Sequence, residues 1–139
     1  MLSFPVSPSV LRATVWFDAY TGVLLGAAHL LLTAQLADGL GLPASLLMGT
    51  GVALLGYAAL AIRIASARSM PRGMLWVLIA GNVAWGVASL VLLLGSAVQP
   101  TLLGQGYLLV HVVSVALLAE LQWMGVRRLS GLATAQRAL

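Results

Sequence analysis

Asp18, His29, Asn82, His111 and Glu120 are the residues of this chain best equipped for chemistry, and all five fall within long apolar runs. Polar groups at membrane depth are costly and mark functional sites by default. Asp18, Gly22, Gly26, His29 and Thr33 follow a 4-4-3-4 spacing, which places them on one helix face. A carboxylate and an imidazole on such a face can relay protons or meet an ion. The blander reading is a packing seam, because Gly22 and Gly26 form a small-xxx-small pair that lets another helix approach closely.

Asn82, Trp85 and Ser89 share a second face, where Asn82 can hydrogen-bond across helices for roughly 0.6–2 kcal/mol. Tyr107, His111, Ser114 and Leu118 form a third line. Glu120 lies nine residues beyond His111, about 180° around a helix. Unless the helix bends, one of the two therefore faces away from the bundle axis, towards a neighbouring chain, a cavity or the interface.

Asp18 is six residues inside Arg12 and Glu120 seven before Arg127, each roughly 9–10 Å in from those arginines. Arg63 sits near the same face. An Asp18–Arg63 or Glu120–Arg63 ion pair would offset the cost of burying two charges. Histidines from two helices can also hold a b-type haem, and His29 and His111 fall at heights about 5 Å apart. A lone metal site has less behind it, since no carboxylate lies one turn from either histidine.

These residues need elements to carry them. Of 139 residues, 61% are hydrophobic and 7% charged, against about 25% charged in an average soluble domain. Such a chain cannot cover itself with polar surface, and a bilayer removes the need. The basic balance of seven arginines, no lysine and three acids follows topology rather than nucleic acid. Without cysteine, disulfides, thiolate metal sites and Cys nucleophiles are excluded.

No charged residue occurs between Asp18 and Asp38, Asp38 and Arg63, or Arg72 and Glu120. The first two gaps hold one span each. The third, 47 residues long, holds two, broken at Gly95-Ser96-Ala97-Val98-Gln99-Pro100-Thr101. The predicted spans are roughly 13–36, 44–66, 73–95 and 101–126. They form one all-α membrane domain over residues 1–139, a four-transmembrane-helix bundle running up-down-up-down. The first eleven residues, with Pro5 and Pro8, read as an extended lead-in.

All seven arginines fall on one side of that path: Arg12, then Arg63, Arg68 and Arg72, then Arg127, Arg128 and Arg137. The positive-inside rule makes both termini cytoplasmic. Thr33-Ala34-Gln35-Leu36-Ala37 faintly resembles a signal-peptide cleavage site, but Asp18 and His29 favour a retained helix. Trp16, Phe17, Trp76 and Trp123 read as interfacial anchors, and Tyr57 and Trp85 as packing residues.

Asn82, Trp85 and Ser89, followed by Pro100-Thr101-Leu102-Leu103-Gly104 and then Leu118-Ala119-Glu120-Leu121-Gln122-Trp123-Met124-Gly125-Val126-Arg127-Arg128, resemble small uncharacterised four-helix inner-membrane proteins of proteobacteria. That resemblance implies a bacterial inner-membrane location and no activity. Small multidrug transporters are not resembled, since they carry a membrane-embedded glutamate in the first helix.

The expected function is a non-enzymatic structural or accessory subunit of a homo-oligomer or larger membrane complex, without a cofactor. Its partners would be the bilayer and other membrane subunits. One alternative is a small transporter or channel subunit using Asp18, Asn82, His111 and Glu120. Another is a redox module binding haem or quinone. Catalysis on a soluble substrate lacks a nucleophile–base constellation, an HExxH motif and a phosphate loop.

Overall fold

The computed structural model describes the backbone of residues 7–137 and the side chains of residues 7–130. Among them the fold is all-α, with helices α1 (Pro8–Leu31), α2 (Thr33–Leu40), α3 (Ala44–Ser66), α4 (Arg72–Leu94) and α5 (Leu102–Arg137). Three segments, Ala44–Ser66, Arg72–Leu94 and Leu102–Ser130, are each long and apolar enough to cross a membrane. The α1–α2 pair meets that test only together, and it is bent by 93°. The bundle therefore has three such helices, or four when the bent pair is one span.

The start of α1 corrects the expected extended lead-in. Ser7 Oγ accepts from the Val10 amide at 3.3 Å and Pro8 opens the helix, the positions where a cap and a proline suit a helix start. Pro5 lies outside the described residues. The first span also ends earlier than the predicted residue 36. Thr33 Oγ1 donates to the carbonyls of His29 at 2.5 Å and Leu30 at 3.1 Å, so the hydroxyl satisfies carbonyls at the end of α1. The chain breaks at Leu32, and α2 turns across the end of the bundle with Leu36, Ala37 and Leu40 facing in.

Gly41 closes α2 in the left-handed conformation (φ 67°), which glycine adopts without strain. The start of α5 is stitched to this corner. The Thr101 amide donates to the Leu40 carbonyl at 3.0 Å, and Thr101 Oγ1 donates to the Gly39 carbonyl at 2.7 Å. The same hydroxyl caps α5 by accepting from the Gly104 amide at 3.0 Å. α5 then continues to Arg137, well past the predicted residue 126.

In lipid, apolar side chains gain little by leaving one apolar medium for another, so close packing and hydrogen bonds hold helices together. α1 packs on α3 through glycine. A Cβ on Gly26 would stand 2.9 Å from Leu55 Cγ and 3.0 Å from the Gly51 carbonyl, and one on Gly22 3.1 Å from Ala58 Cβ. Gly86 brings α4 equally close to Val115 of α5.

At one end of the bundle, Leu11, Val15, Ile64, Leu75, Leu78 and Val126 form an apolar plug. At the other, Leu40, Leu42 and Leu47 form a smaller one. Arginines gather at the first end. Arg12 donates to the carbonyls of Ala65, Ala67 (2.7 Å) and Arg68 (3.2 Å), and Arg72 to that of Leu129. Arg12 thus satisfies carbonyls left open at the end of α3. The side chain of Arg137 lies outside the described residues.

Candidate functional site

Between the two plugs, α1, α3, α4 and α5 enclose a cavity of about 450 Å³. Its walls are apolar and aromatic, including Phe17, Leu25, Leu54, Tyr57, Trp85 and Val115. Phe17 on α1 and Val110 on α5 are its most exposed large lining residues, at 60% and 64%. Ala53 on α3 and Ser114 on α5 are exposed lining residues as well.

One pole of this cavity is built on Asp18, which is 4% exposed. Its Oδ2 accepts from Tyr57 Oη at 2.7 Å, Asn82 Nδ2 at 3.0 Å and Gln122 Nε2 at 2.7 Å. Asn82 Nδ2 also donates to Gln122 Oε1 at 3.2 Å, and the Tyr57 hydroxyl lies 3.2 Å from the Leu78 carbonyl. Four helices thus each send one polar group to a single point. Three donors on one oxygen offset the cost of burying a carboxylate with no counter-charge.

The other pole centres on His29, Tyr107 and His111, and its proton positions follow from groups that only accept. Thr50 Oγ1 commits its proton to the Leu46 and Leu47 carbonyls at 2.8 and 3.0 Å. It must therefore accept from His29 Nδ1, 2.9 Å away. That leaves His29 Nε2 to accept from the Tyr107 hydroxyl at 2.5 Å. His111 Nδ1 lies 2.9 Å from the Tyr107 carbonyl, so Nδ1 carries the proton and Nε2 presents a lone pair. His111 Nε2 is buried and is the unpartnered atom among the buried side-chain polar atoms of the described residues. Trp85, Tyr107 and His111 also line a second cavity of about 80 Å³ beside Leu42 and Thr50, forming the partition between the two.

Several sequence expectations change against this geometry. Asp18 and Asn82 are brought into one cluster, but Arg63 and Glu120 are not. Both are exposed, and neither makes an ion pair among the described residues. The expected Asp18–Arg63 or Glu120–Arg63 pair is therefore replaced by neutral donors around Asp18. With His111 facing in and Glu120 facing out, the transport path through Asp18, Asn82, His111 and Glu120 is not one continuous line. Both nitrogens of His29 are engaged, so an iron bridging His29 and His111 would have to displace Tyr107. No cluster of three metal-ligating side chains exists among the described residues.

Gly22 and Gly26 serve the internal α1–α3 crossing. Gln122 and Tyr57 were missed as site residues. Gln122 was legible: the line Tyr107, His111, Ser114, Leu118 reaches it one turn further on. Tyr57 offered only depth and a hydroxyl.

Comparison of the chain with protein-family models, with curated proteins and with solved structures finds no match.

Proposed function

We propose that this chain is a multi-pass protein of the bacterial inner membrane that holds a lipid-soluble ligand inside its helix bundle. In this reading α1 with α2, α3, α4 and α5 make four spans. Both termini face the cytoplasm in this reading, which the arginines at that end of the bundle support under the positive-inside rule. The observation that carries the reading is the cavity itself, about 450 Å³, within the range of roughly 300–1,000 Å³ typical of ligand sites. Apolar walls with two convergent polar poles are what an amphiphilic ligand requires. In this reading the ligand enters from the bilayer between α1 and α5, where the lining residues Phe17, Val110 and Ser114 are exposed.

Native mass spectrometry of protein released from nanodiscs tests this. A bound species of defined mass should copurify and disappear in Ser114→Trp, which fills the cavity from α5. Only heterogeneous phospholipid adducts, unchanged by that substitution, would contradict it.

One observation supports a second reading, an accessory subunit in a homo-oligomer or larger complex. Glu120 is exposed on the face opposite His111, and a charge turned towards lipid is costly unless another chain meets it. Mass measurement in nanodiscs distinguishes the cases. An oligomer dissociated by Glu120→Leu supports this reading, and a monomer in every lipid composition removes it.

A further inference from the structure

We propose that the cavity selects a ligand that donates a hydrogen bond to His111 Nε2, and that the fitting class is a lipid-soluble phenol, such as a quinol in preference to its quinone. The proposal rests on the ligand-binding reading above and specifies its chemistry. Its basis is one buried nitrogen. His111 is 9% exposed and lines both cavities, and its Nε2 is buried without a partner, so a ligand in the larger cavity reaches it through a small shift of the side chains around it.

The backbone fixes what that nitrogen can accept. Because the Tyr107 carbonyl takes the Nδ1 proton at 2.9 Å, Nε2 offers a lone pair and cannot donate without breaking that bond. A quinone carries only carbonyl acceptors, so it would set lone pair against lone pair. A quinol or phenol brings an O–H and satisfies the site. The same reasoning admits an aliphatic alcohol at this atom, but the surroundings favour a flat ring. The rings of Tyr107 and Trp85 line the same cavity beside His111 and offer aromatic faces on which a flat ring can pack.

The head group binds at one pole only. His111 and Gln122 are eleven residues apart on α5, about 16 Å of helical rise, too far for one ring to bridge. The rest of the ligand then runs along the apolar wall, past Leu54 and Val115, towards Phe17 and the Asp18 pole.

The test is binding to full-length protein in nanodiscs of phosphatidylethanolamine and phosphatidylglycerol, measured by calorimetry under anaerobic conditions. The probes are decyl-benzoquinol, decyl-benzoquinone, dodecanol and dodecane. The quinol should bind roughly tenfold or more tightly than the quinone, the ratio expected when a buried acceptor is left unsatisfied. His111→Phe should abolish that preference while retaining the apolar contacts, and the surface variant Glu120→Gln should keep it.

A second readout does not depend on any variant folding. In protein labelled with 15N-histidine, the unprotonated Nε2 resonance of His111 should move on adding quinol and stay on adding quinone. Dodecanol matching the quinol would retain donor selectivity but overturn the choice of a phenol. Equal binding of quinol and quinone, or an unmoved resonance, would overturn the selectivity while leaving the cavity reading intact. Failure of all four probes to bind would overturn the cavity reading itself.

Discussion

Gln122 Nε2 donates to Asp18 Oδ2 at 2.7 Å across 104 positions of sequence. This bond ties the first helix to the last and sets the floor of the cavity. Gln122 is fully buried, so removing it exposes nothing to solvent and instead strips one donor from a buried carboxylate.

Gln122→Leu should therefore destabilise the bundle by about 1–3 kcal/mol, the cost of leaving a buried polar group short of a partner. Asp18→Asn in the same background should cost less than it does alone, because the two losses share one network. Unfolding in mixed micelles with increasing SDS measures both. Strictly additive effects would show that the network is not coupled.

The glycines separate by what surrounds them. Gly26→Ala sets a Cβ against Leu55 and the Gly51 carbonyl and should cost about 1–3 kcal/mol by overpacking. Gly104→Ala should be worse, since its Cβ would collide with the Leu40 carbonyl. Gly49→Ala and Gly56→Ala meet no atom within 4 Å and should be neutral or slightly stabilising, as alanine is the better helix former. Thermal melting of the four variants in one detergent checks the order.

Arg12 and Arg63 carry the same charge near the same end of the bundle, yet only Arg12 is engaged with carbonyls at the close of α3. Arg12→Gln should lower stability by about 1–2 kcal/mol, and Arg63→Gln should have little effect. Equal losses would mean that bulk charge, rather than the cap, is what matters.

The distribution of charge made most of the helices legible, because apolar runs bounded by arginines and acids leave few places for a span to start or stop. The face of α1 that carries Asp18, Gly22, Gly26 and His29 followed from spacing alone, and the structure buries all four. The bend after Leu31 was not legible. Thr33 takes two backbone carbonyls there, but Thr21 and Thr50 make the same pair of bonds inside unbroken helices, so that pattern does not mark the break. Asp18 drew an arginine as its expected partner because charge suggests charge. The fold instead supplies Tyr57, Asn82 and Gln122; spacing places Asn82 and Gln122 on polar helix faces, but no local pattern says that neutral groups from three helices converge on one carboxylate. The free Nε2 of His111 was hidden for a related reason, since it depends on which carbonyl takes Nδ1.

Thr101 joins the two ends of the corner between α2 and α5, capping α5 while donating to Gly39. Thr101→Val keeps the shape and loses both bonds, so the variant should lose about 1–2 kcal/mol. Hydrogen exchange should rise first at the Gly104 amide. Faster exchange confined to other helices would contradict the assignment of this cap.

Photolabelling in nanodiscs with a diazirine-bearing alkylphenol tests most directly whether the bundle is a ligand site. Adducts should concentrate on Phe17, Val110 and Ser114 at the mouth of the cavity, and Ser114→Trp should remove them. Adducts spread evenly over exposed residues outside the cavity such as Leu24, Val83 and Val91, and unchanged by that substitution, would contradict it.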